Sequence, residues 1–437
     1  MAARLTIGID FGTTNSAVAR VRAGGPEGSA TEMARFTHET GETDVYRSIL
    51  YFEHYKTPAP PRTVGWTGPA AIERYLAAET KGRLIQSLKS FLTSRSLTAT
   101  DVFGRRHTLE ALIARVLRDI REQAEARFGE PISAAVVGRP VRFVGAETDD
   151  DNAFAESRLR EAFGLAGYGH VEFELEPVAA AHFYESTLSH DELILIGDFG
   201  GGTSDFTLIR VGPTARRLDT AARVLGNAGL GLAGDAFDAR IIRHLVSPAL
   251  GAGTQMRSLD RWLPVPIAVY SKLERWHYLS LLRNRETLGQ LERVRAQAEE
   301  PDKIQALIHL IAGDLGYQLH RAVQGLKFAL SRDEKARFQF HDGALALDAM
   351  VTRTQFEGWI AEELGRIETC IDELLSSTGV PACAVDRVFL TGGTSFVPAV
   401  RRIFASRFGE AALRTGEEFT SVARGLAVSH HGRRTVR

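Results

Sequence analysis

The chain has 437 residues, 44% of them hydrophobic, and its 53 Lys and Arg side chains nearly balance 54 Asp and Glu side chains. Because no global positive field exists, composition argues against partners that are nucleic acids or anionic membrane surfaces. No apolar run approaches the roughly 20 residues of a membrane-spanning helix, and the N-terminus enters a strand pattern too soon for a signal peptide. Cys370 and Cys383 are the only cysteines, which favours a reducing cytoplasm and predicts two packed thiols.

Strand and helix periodicities alternate along the chain, which predicts layered α/β structure. Strand-like runs occupy residues 5–10, 45–52, 134–138, 193–198, 206–211 and 387–391. Helical periodicity occupies residues 70–79, 109–127, 148–162, 177–187, 235–245, 352–375 and 397–407. Residues 249–316 are polar and arginine-rich, and they predict an inserted helical subdomain with breaks near 263–266 and 299–302.

Nearly the same turn occurs twice, as IGIDFGTTNS at residues 7–16 and as IGDFGGGTSD at residues 196–205. Each copy places Asp and Phe-Gly after an apolar run and small residues before a second one, which predicts a hairpin. Glycine at the tip leaves backbone N–H groups free to face an anion. Asp10 and Asp198 end the first strands as carboxylates suited to a hydrated divalent cation. The pair predicts two related lobes around one phosphate chain and one metal ion.

A third glycine turn lies in VFLTGGTSFVP at residues 388–398. A buried strand is expected to end at Gly392 and Gly393, and a helix to begin soon after Thr394, which allows close approach of a ligand to a helix N-terminus. Together with the two hairpins, this turn is the predicted site for the nucleoside.

Other nucleotide motifs are absent or weak. The chain has no P-loop, and DFG at 198–200 lacks the remaining protein-kinase signatures. Gly229, Gly231 and Gly234 spell GxGxxG without an acidic residue placed to hold a ribose. Residues 226–234 are therefore interpreted as a loop between a strand and a helix, near the phosphate end of the ligand, with Gly234 as a binding residue.

The segments IDFGTTNS, EPVAAA, DFGGGTSD, FLTGGTSFVP and SVARGLAV follow the order and approximate spacing of the ATPase domain of DnaK-type heat-shock chaperones. The chain resembles that family of actin-like ATPases almost throughout, except at residues 249–316. With LPVP and WH, this insertion is similar to the shorter YegD-type branch, which lacks the peptide-binding domain. The resemblance implies a two-lobed actin-like, ribonuclease H-like α/β fold with mixed sheets. Lobe I is expected at 1–187, with 417–437 returning to it, and lobe II at 188–416, including the helical insertion.

The resemblance also assigns the groups around the metal and the attacking water. Asp10 and Asp205 are expected to hold Mg²⁺ through its waters, Glu176 to order water near the metal, and Asp198 to act on the attacking water. Such chemistry depends on positioned water and on positive potential rather than on a covalent group. Lys89 is the expected catalytic cation, and Arg83 is the competing choice.

The phosphates and the nucleoside complete the implied site. The expected phosphate-binding residues are Gly12, Thr13 and Thr14 for the β-phosphate and Gly200, Gly201, Gly202 and Thr203 for the γ-phosphate. In QGLKFALS at 324–331, Lys327 is expected to bind the ribose and Ser331 the adenine edge. Gln324 and Phe328 depart from the family pattern, which has Glu and Arg there, so base preference is open; an aromatic ring also stacks on a base.

The resemblance implies slow hydrolysis of ATP to ADP and phosphate in an inter-lobe cleft, with lobe closure as a conformational switch. The expected partners are the nucleotide and a protein client or co-chaperone, with no nucleic acid and no membrane, in the cytoplasm. Two alternatives are a non-hydrolysing nucleotide-binding switch or scaffold and a small-molecule kinase of the same fold. A filament-forming actin relative is a third. The segment TTNS argues against the kinase, and the phosphate-side residues favour turnover.

Overall fold

The computed structural model describes residues 5–22, 31–38, 41–57, 60–78, 82–185, 188–215, 218, 220–275, 282–343, 345–415 and 421–435. Its strands are β1 (Leu5–Phe11), β2 (Asn15–Val21), β3 (Thr31–Met33), β4 (Phe36–His38), β5 (Gly41–Thr43), β6 (Tyr46–Arg47), β7 (Ile49–Tyr55), β8 (Arg62–Thr67), β9 (Arg83–Gln86), β10 (Ala99–Val102), β11 (Arg105–Thr108), β12 (Ile132–Arg139), β13 (His170–Leu175), β14 (Glu192–Phe199), β15 (Ser204–Val211), β16 (Val224–Leu230), β17 (Gln255–Ser258), β18 (Arg261–Pro264), β19 (Lys335–Asp342), β20 (Leu345–Thr352), β21 (Arg387–Thr391) and β22 (Leu413–Thr415).

The helices are α1 (Gly68–Ala77), α2 (Leu109–Phe128), α3 (Asp149–Leu165), α4 (Glu176–Glu185), α5 (Thr220–Arg223), α6 (Gly234–Ile241), α7 (Ser247–Ala249), α8 (Ala268–Leu273), α9 (Arg285–Gln297), α10 (Pro301–Ala312), α11 (Gly316–Arg332), α12 (Arg353–Trp359), α13 (Ala361–Thr378), α14 (Pro398–Phe408) and α15 (Ser421–Thr435). A π-helix at Ile242–Val246 continues α6, and 3₁₀ turns occupy Leu88–Phe91, Ala382–Ala384, Gly393–Phe396 and Glu410–Ala412. None of the helices in the described ranges is long and apolar enough to cross a membrane.

Two mixed sheets share one strand order. The first runs β13-β12-β1-β2-β3, with β6 also paired to β2, and the second runs β22-β21-β14-β15-β16. Each contains an antiparallel hairpin, β1–β2 or β14–β15. The first strand of each hairpin also pairs in parallel with a later strand, β12 or β21. The mixed sheets and both predicted hairpins are therefore confirmed.

The two faces of β1 explain why helices pack tightly on the first sheet. Ile7 and Ile9 point to one face and are fully buried in a core that includes side chains of α2 and α3. On the other face a Cβ at Gly8 would lie 2.3 Å from the carbonyl oxygen of Ala423 in α15. In turn, a Cβ at Gly425 of α15 would lie 1.7 Å from the carbonyl oxygen of Ala179 in α4. The segments EPVAAA and SVARGLAV thus cross with the backbone of Gly425 directly against the backbone of Ala179.

Some predicted elements differ from the observed ones. The strand at 45–52 is split into β6 and β7 because the N–H of Ser48 donates to the carbonyl of Thr14 instead of continuing the ladder. The helix at 352–375 is two helices, α12 and α13, separated at Ile360, whose ψ of 10° leaves the helical region. Within 249–316, residues 255–264 form the β17–β18 hairpin, whereas α8, α9 and α10 match the helix-rich prediction. The predicted helix ends at 79 and 187 lie outside the described residues.

Internal contacts divide the chain into two compact units. The first comprises Met1–Ala233, Ile367–Ser395 and Val400–Arg437, and the second comprises Gly234–Arg366 and Phe396–Ala399. Both mixed sheets belong to the first unit. The division by contacts follows different boundaries from the lobes expected at 1–187 and 188–416, and those lobes stay a prediction.

Candidate functional site

Both glycine-rich turns lie at the tips of hairpins in the first unit. Gly12, Thr13 and Thr14 connect β1 to β2, and a Cβ at Gly12 would lie 2.1 Å from the carbonyl oxygen of Asn15. In the second turn, which contains Gly201 and Gly202, the N–H of Gly200 donates to the carbonyl of Thr203 at 2.8 Å. At Gly12 only glycine allows such close approach of backbone to backbone, whereas a Cβ at Gly200 would lie at an ordinary 3.4 Å from the Thr203 carbonyl oxygen.

The second hairpin brings two carboxylates side by side. Asp198 of β14 pairs directly with Asp205 of β15, whereas the equivalent partner of Asp10 on β2 is Ala17. Asp205 is buried, and its Oδ1 accepts from the N–H of Arg142 at 3.4 Å. A Cβ at Gly229, its pairing partner on β16, would lie only 2.9 Å from the same Oδ1. Gly229 therefore makes room for the Asp205 carboxylate.

Lys89 contacts Glu176, and Arg83 does not. Lys89 lies in the 3₁₀ turn Leu88–Phe91, and its Nζ donates to Oε1 of Glu176, the first residue of α4, at 2.8 Å. Both side chains are about nine-tenths buried, with exposed fractions of 8% and 11%. The Arg83 guanidinium donates instead to the carbonyl of Asp101 and the hydroxyl of Thr100.

A buried arginine organises the chain that follows Lys89. The guanidinium of Arg158 in α3 is paired with Glu110 of α2. It also donates to four carbonyl oxygens, those of Phe91, Leu92, Ser94 and Leu97. These bonds hold together a segment without regular structure, and they fix the end of the turn that carries Lys89.

The three aspartates of the site resist ionisation. Burial, followed by Glu176, raises the pKa of Asp10 well above its ordinary value, and the same two causes act on the pKa of Asp205. Burial and Glu176 also raise the pKa of Asp198, to about 6. Burial alone would lower the pKa of Lys89, but Glu176 and Asp10 outweigh it and the net direction is upward. Lys89 thus faces negative potential from Glu176, Asp10 and Asp198, while Asp205 interacts with Glu176 and Asp198.

This donor set fits a hydrated Mg²⁺ ion, for which Asp10 and Asp205 are the candidate residues. Among the described residues, no three His, Cys, Asp or Glu side chains are close enough to act as direct ligands of one metal ion. Mg²⁺ keeps several of its waters and binds proteins through one or two carboxylates. A divalent cation would also stabilise the ionised form of carboxyl groups whose charge burial opposes.

The third glycine turn packs against the second hairpin. Gly392 has a φ of +83°, and a Cβ there would lie 1.9 Å from the carbonyl oxygen of Phe199. Gly393 and Thr394 follow in the 3₁₀ turn Gly393–Phe396, before α14 begins at Pro398. Just before the turn, the hydroxyl of Thr391 donates to Oδ1 of Asp198 at 2.6 Å.

Three of the predicted nucleotide-binding residues belong to the second unit. Lys327 of α11 lies 2.7 Å from Oδ1 of Asp238 and donates to the carbonyl of Gly234 at 3.1 Å, so the structure brings Lys327 and Gly234 together. Ser331 donates its hydroxyl to the carbonyl of Phe328, one turn earlier in α11. The ring of Phe328 is 54% exposed.

Two sequence-based interpretations need correction. Residues 226–230, interpreted as part of a loop, belong to β16, so the connection to α6 is only residues 231–233. Cys370 is buried, but Cys383 is exposed, so the prediction of two packed thiols is wrong for Cys383. Both cysteines are free thiols.

Sequence reasoning also missed residues that support the site. Gly229 pairs with Asp205, and Thr391 pairs with Asp198. The sequence does not reveal this strand register. Gly138 is a third case, since a Cβ there would lie 2.9 Å from Cγ of Glu176. For Thr391, a hydroxyl directly before a glycine pair is the one signal that the sequence offers.

Two sheets of identical strand order, each with an Asp at the end of a hairpin strand, define an actin-like ATPase fold of the α/β class. The family model described as Hsp70 protein matches residues 83–255 and 314–432, more than half of the chain. The chain belongs to the Hsp70 family, a family of ATP-binding chaperone ATPases. The interval between the two matched segments lies within the predicted insertion at 249–316.

A curated relative supports the same assignment. The chain is 26% identical over 430 residues to "Chaperone protein DnaK" of Deinococcus radiodurans. The alignment covers 97% of this chain and 58% of that protein. The chain therefore spans a little more than half the length of the relative that it matches.

Proposed function

We propose that the chain binds ATP with Mg²⁺ at the acidic site of the first unit and slowly hydrolyses it to ADP and phosphate. The observation that carries this proposal is the buried pair of Lys89 and Glu176, set among Asp10, Asp198 and Asp205. A buried lysine among carboxylates and two glycine-rich turns supplies what phosphoryl transfer to water requires, namely a fixed cation, a metal site and backbone donors. Membership in the Hsp70 family supports the same activity.

Each side chain has one task in this proposal. Asp10 and Asp205 hold the waters of Mg²⁺, and Mg²⁺ when bound offsets charge on the phosphate oxygens. Lys89 supplies positive potential toward the γ-phosphate, and Glu176, whose Oε1 accepts from Nζ of Lys89, helps to order water near the metal. Asp198 accepts a hydrogen bond from the attacking water and orients it, a positioning role that is effective without a covalent intermediate.

The backbone and hydroxyl groups bind the phosphates. The first turn, with Gly12, Thr13 and Thr14, presents its N–H groups to the β-phosphate. The second turn, with Gly200, Gly201, Gly202 and Thr203, does so for the γ-phosphate. Concave runs of backbone N–H groups at glycine-rich turns are a recurrent anion-binding arrangement.

The residues proposed to bind the nucleoside are assigned from the resemblance to DnaK-type ATPase domains. Gly392, Gly393 and Thr394 border the base, Gly234 and Lys327 face the ribose, and Ser331 faces the adenine edge. Support comes from the hydrogen bond between Lys327 and Gly234, which shows that these two assigned residues are neighbours. Phe328 is exposed, and the part of its ring that the Arg332 guanidinium leaves uncovered provides a surface for stacking on a base.

We further propose that nucleotide binding and hydrolysis control closure of the two predicted lobes. A protein client or co-chaperone would respond to this conformational change. The relative's name, "Chaperone protein DnaK", supports this chaperone-like role. A cytoplasmic location, supported by the low cysteine content, completes the proposal.

The first experiment is phosphate release from Mg²⁺-ATP without an added acceptor, with ADP binding measured in parallel. It compares wild type with Asp10→Asn and with the control Asp149→Asn, an exposed carboxylate at the start of α3. We expect release in wild type and in Asp149→Asn but not in Asp10→Asn.

Three other outcomes would contradict the proposed hydrolysis. Nucleotide binding without phosphate release would favour the non-hydrolysing switch. Transfer that occurs only with an added acceptor would favour the kinase. If no nucleotide binds, the site has lost its chemistry although the fold remains.

A further inference from the structure

Asp198 lies in the middle of a row of three polar side chains across the second sheet. On one side its antiparallel partner is Asp205, and on the other its parallel partner is Thr391. Directly paired residues on neighbouring strands project to the same face of a sheet. Asp198 is therefore held between a carboxylate, which repels its charge, and a hydroxyl, which donates to its Oδ1 at 2.6 Å.

The first sheet provides an internal comparison, because it has the same strand order. There the neighbour of Asp10 on β2 is Ala17. On β12 the pair Ile9 and Val137 places Gly138 next to Asp10. Neither residue has a side-chain hydrogen-bond donor. A hydroxyl beside the strand-ending Asp is thus specific to the sheet whose Asp is assigned to the attacking water.

The hydroxyl of Thr391 is held rigidly. Thr391 is buried, with 7% of its surface exposed, and it ends β21 directly before Gly392. Gly392 is locked by its positive φ and by its close approach to Phe199. Threonine is β-branched and has few accessible χ1 rotamers, so a fixed backbone also fixes its hydroxyl.

We propose that Thr391 is a positioning residue, which orients the Asp198 carboxylate so that its second oxygen faces the attacking water. The inference rests on the proposed hydrolysis and identifies a residue on which its rate depends. Thr391 does not touch the nucleotide in this proposal, because its hydroxyl is already committed to Asp198.

The test measures phosphate release and nucleotide affinity for Thr391→Val, which keeps the shape and removes the hydroxyl, and for Thr391→Ser, which keeps the hydroxyl. We expect Thr391→Val to lower kcat about tenfold while the KM for ATP and the affinity for ADP change less than about twofold. Thr391→Ser should restore kcat to within about threefold of wild type.

A matched control is Thr207→Val in the same sheet. Thr207 is fully buried, and its hydroxyl has no hydrogen-bond partner among the described residues. We expect wild-type kcat for this variant. If Thr391→Val does not fold, as judged by circular dichroism, Thr391→Ala replaces it as the hydroxyl deletion.

The outcomes separate this inference from the proposed function. Turnover in wild type that is unchanged in the hydroxyl deletion would overturn the role of Thr391 alone. The role of Thr391 would also be overturned if the hydroxyl deletion lowered kcat but Thr391→Ser did not restore it. The same holds if the deletion lowered nucleotide affinity as much as kcat. No phosphate release in wild type would overturn both proposals.

Discussion

Lys89 shows how the surroundings of one residue decide its chemistry. A lysine that is nine-tenths buried loses the water that stabilises its charge, which disfavours the charged form. Here Glu176 accepts from Nζ at 2.8 Å, and Asp10 contributes further negative potential. Arg83, six residues earlier, donates to the carbonyl of Asp101 and the hydroxyl of Thr100. Tertiary packing therefore gives Lys89, the choice made from the sequence, and its competitor Arg83 different surroundings.

This difference leads to a prediction for Lys89→Gln and its matched control Arg83→Gln. Glutamine retains a donor for Glu176 but removes the charge, so Lys89→Gln should reduce kcat for phosphate release by about 10²–10³-fold, as for loss of one electrostatic group. Arg83→Gln should retain kcat within about threefold, because its partners lie outside the acidic cluster. Equal losses in both variants, in single-turnover assays on folded protein, would contradict the assignment.

Among individual residues, those that the sequence identified belong to continuous motifs. Asp10 and Asp198 follow apolar runs and precede Phe-Gly, a local pattern that can be recognised without any tertiary information. Thr391 and Gly229 act on residues about 190 and 24 positions away through strand pairing. Register between distant strands is set by the whole fold, so their roles become visible only in the structure.

At the scale of elements, α15 is joined to the rest of the first unit through glycine. It crosses β1 at Gly8, and it crosses α4 at Gly425, where backbone meets backbone. Because Glu176 begins α4, the position of α4 also determines where the carboxylate facing Lys89 lies. Packing far from the turns thereby contributes to the geometry of the site.

We predict that Gly425→Ala lowers the free energy of unfolding by more than about 2 kcal/mol, because overpacking against a rigid backbone forces helices apart. The control is Gly164→Ala in α3, where a Cβ meets nothing within 4 Å. That change should raise the free energy of unfolding by about 0.5 kcal/mol through helix propensity. Urea denaturation followed by circular dichroism measures both changes, and similar values for the two variants would show that α15 tolerates a Cβ at the crossing.

Two elements escaped sequence reasoning for physical reasons. The sequence of β16, VLGNAGL, has weak strand propensity, yet two of its glycines lie where neighbouring side chains leave no room for a Cβ. A Cβ at Gly226 would lie 2.3 Å from Cγ2 of Thr378, and one at Gly229 would crowd Asp205. The β17–β18 hairpin turns at Leu259, which adopts a φ of +53°, without the Gly or Asn that usually marks such a turn. In both cases tertiary contacts override the local signal.

For the molecule as a whole, the net charge is nearly zero, although one site is rich in acidic side chains. The formal net charge is −1, whereas the site in the first unit couples Asp10, Asp198, Asp205 and Glu176 to a single buried lysine. Without a metal ion or nucleotide, the burial of Asp10, Asp198 and Asp205 opposes their ionisation and therefore opposes folding at neutral pH. The site is then a source of instability that a bound cation would relieve.

The dependence of stability on pH tests this conclusion. The pKa of Asp198 is raised from 3.8 to about 6, so its contribution to stability is fully present below pH 4 and is lost as the pH rises through 6. Asp10 and Asp205 act in the same direction. Carboxyls whose pKa is lowered, such as Glu32 and Glu110, affect stability mainly below pH 4.5. Between pH 5 and 7 the raised groups should therefore determine the carboxyl contribution.

We predict that Asp198→Asn, compared with wild type in EDTA and without nucleotide, gains relative stability as the pH rises from 5 to 7. The gain should be on the order of 1–3 kcal/mol, because asparagine keeps the shape and an acceptor for Thr391 but never ionises. Histidines titrate in the same range in both proteins, so their contribution cancels in the difference. Thermal unfolding at several pH values measures it. A difference that stays constant would mean that Asp198 ionises as readily in the folded chain as in the unfolded one, and that the acidic site does not oppose folding.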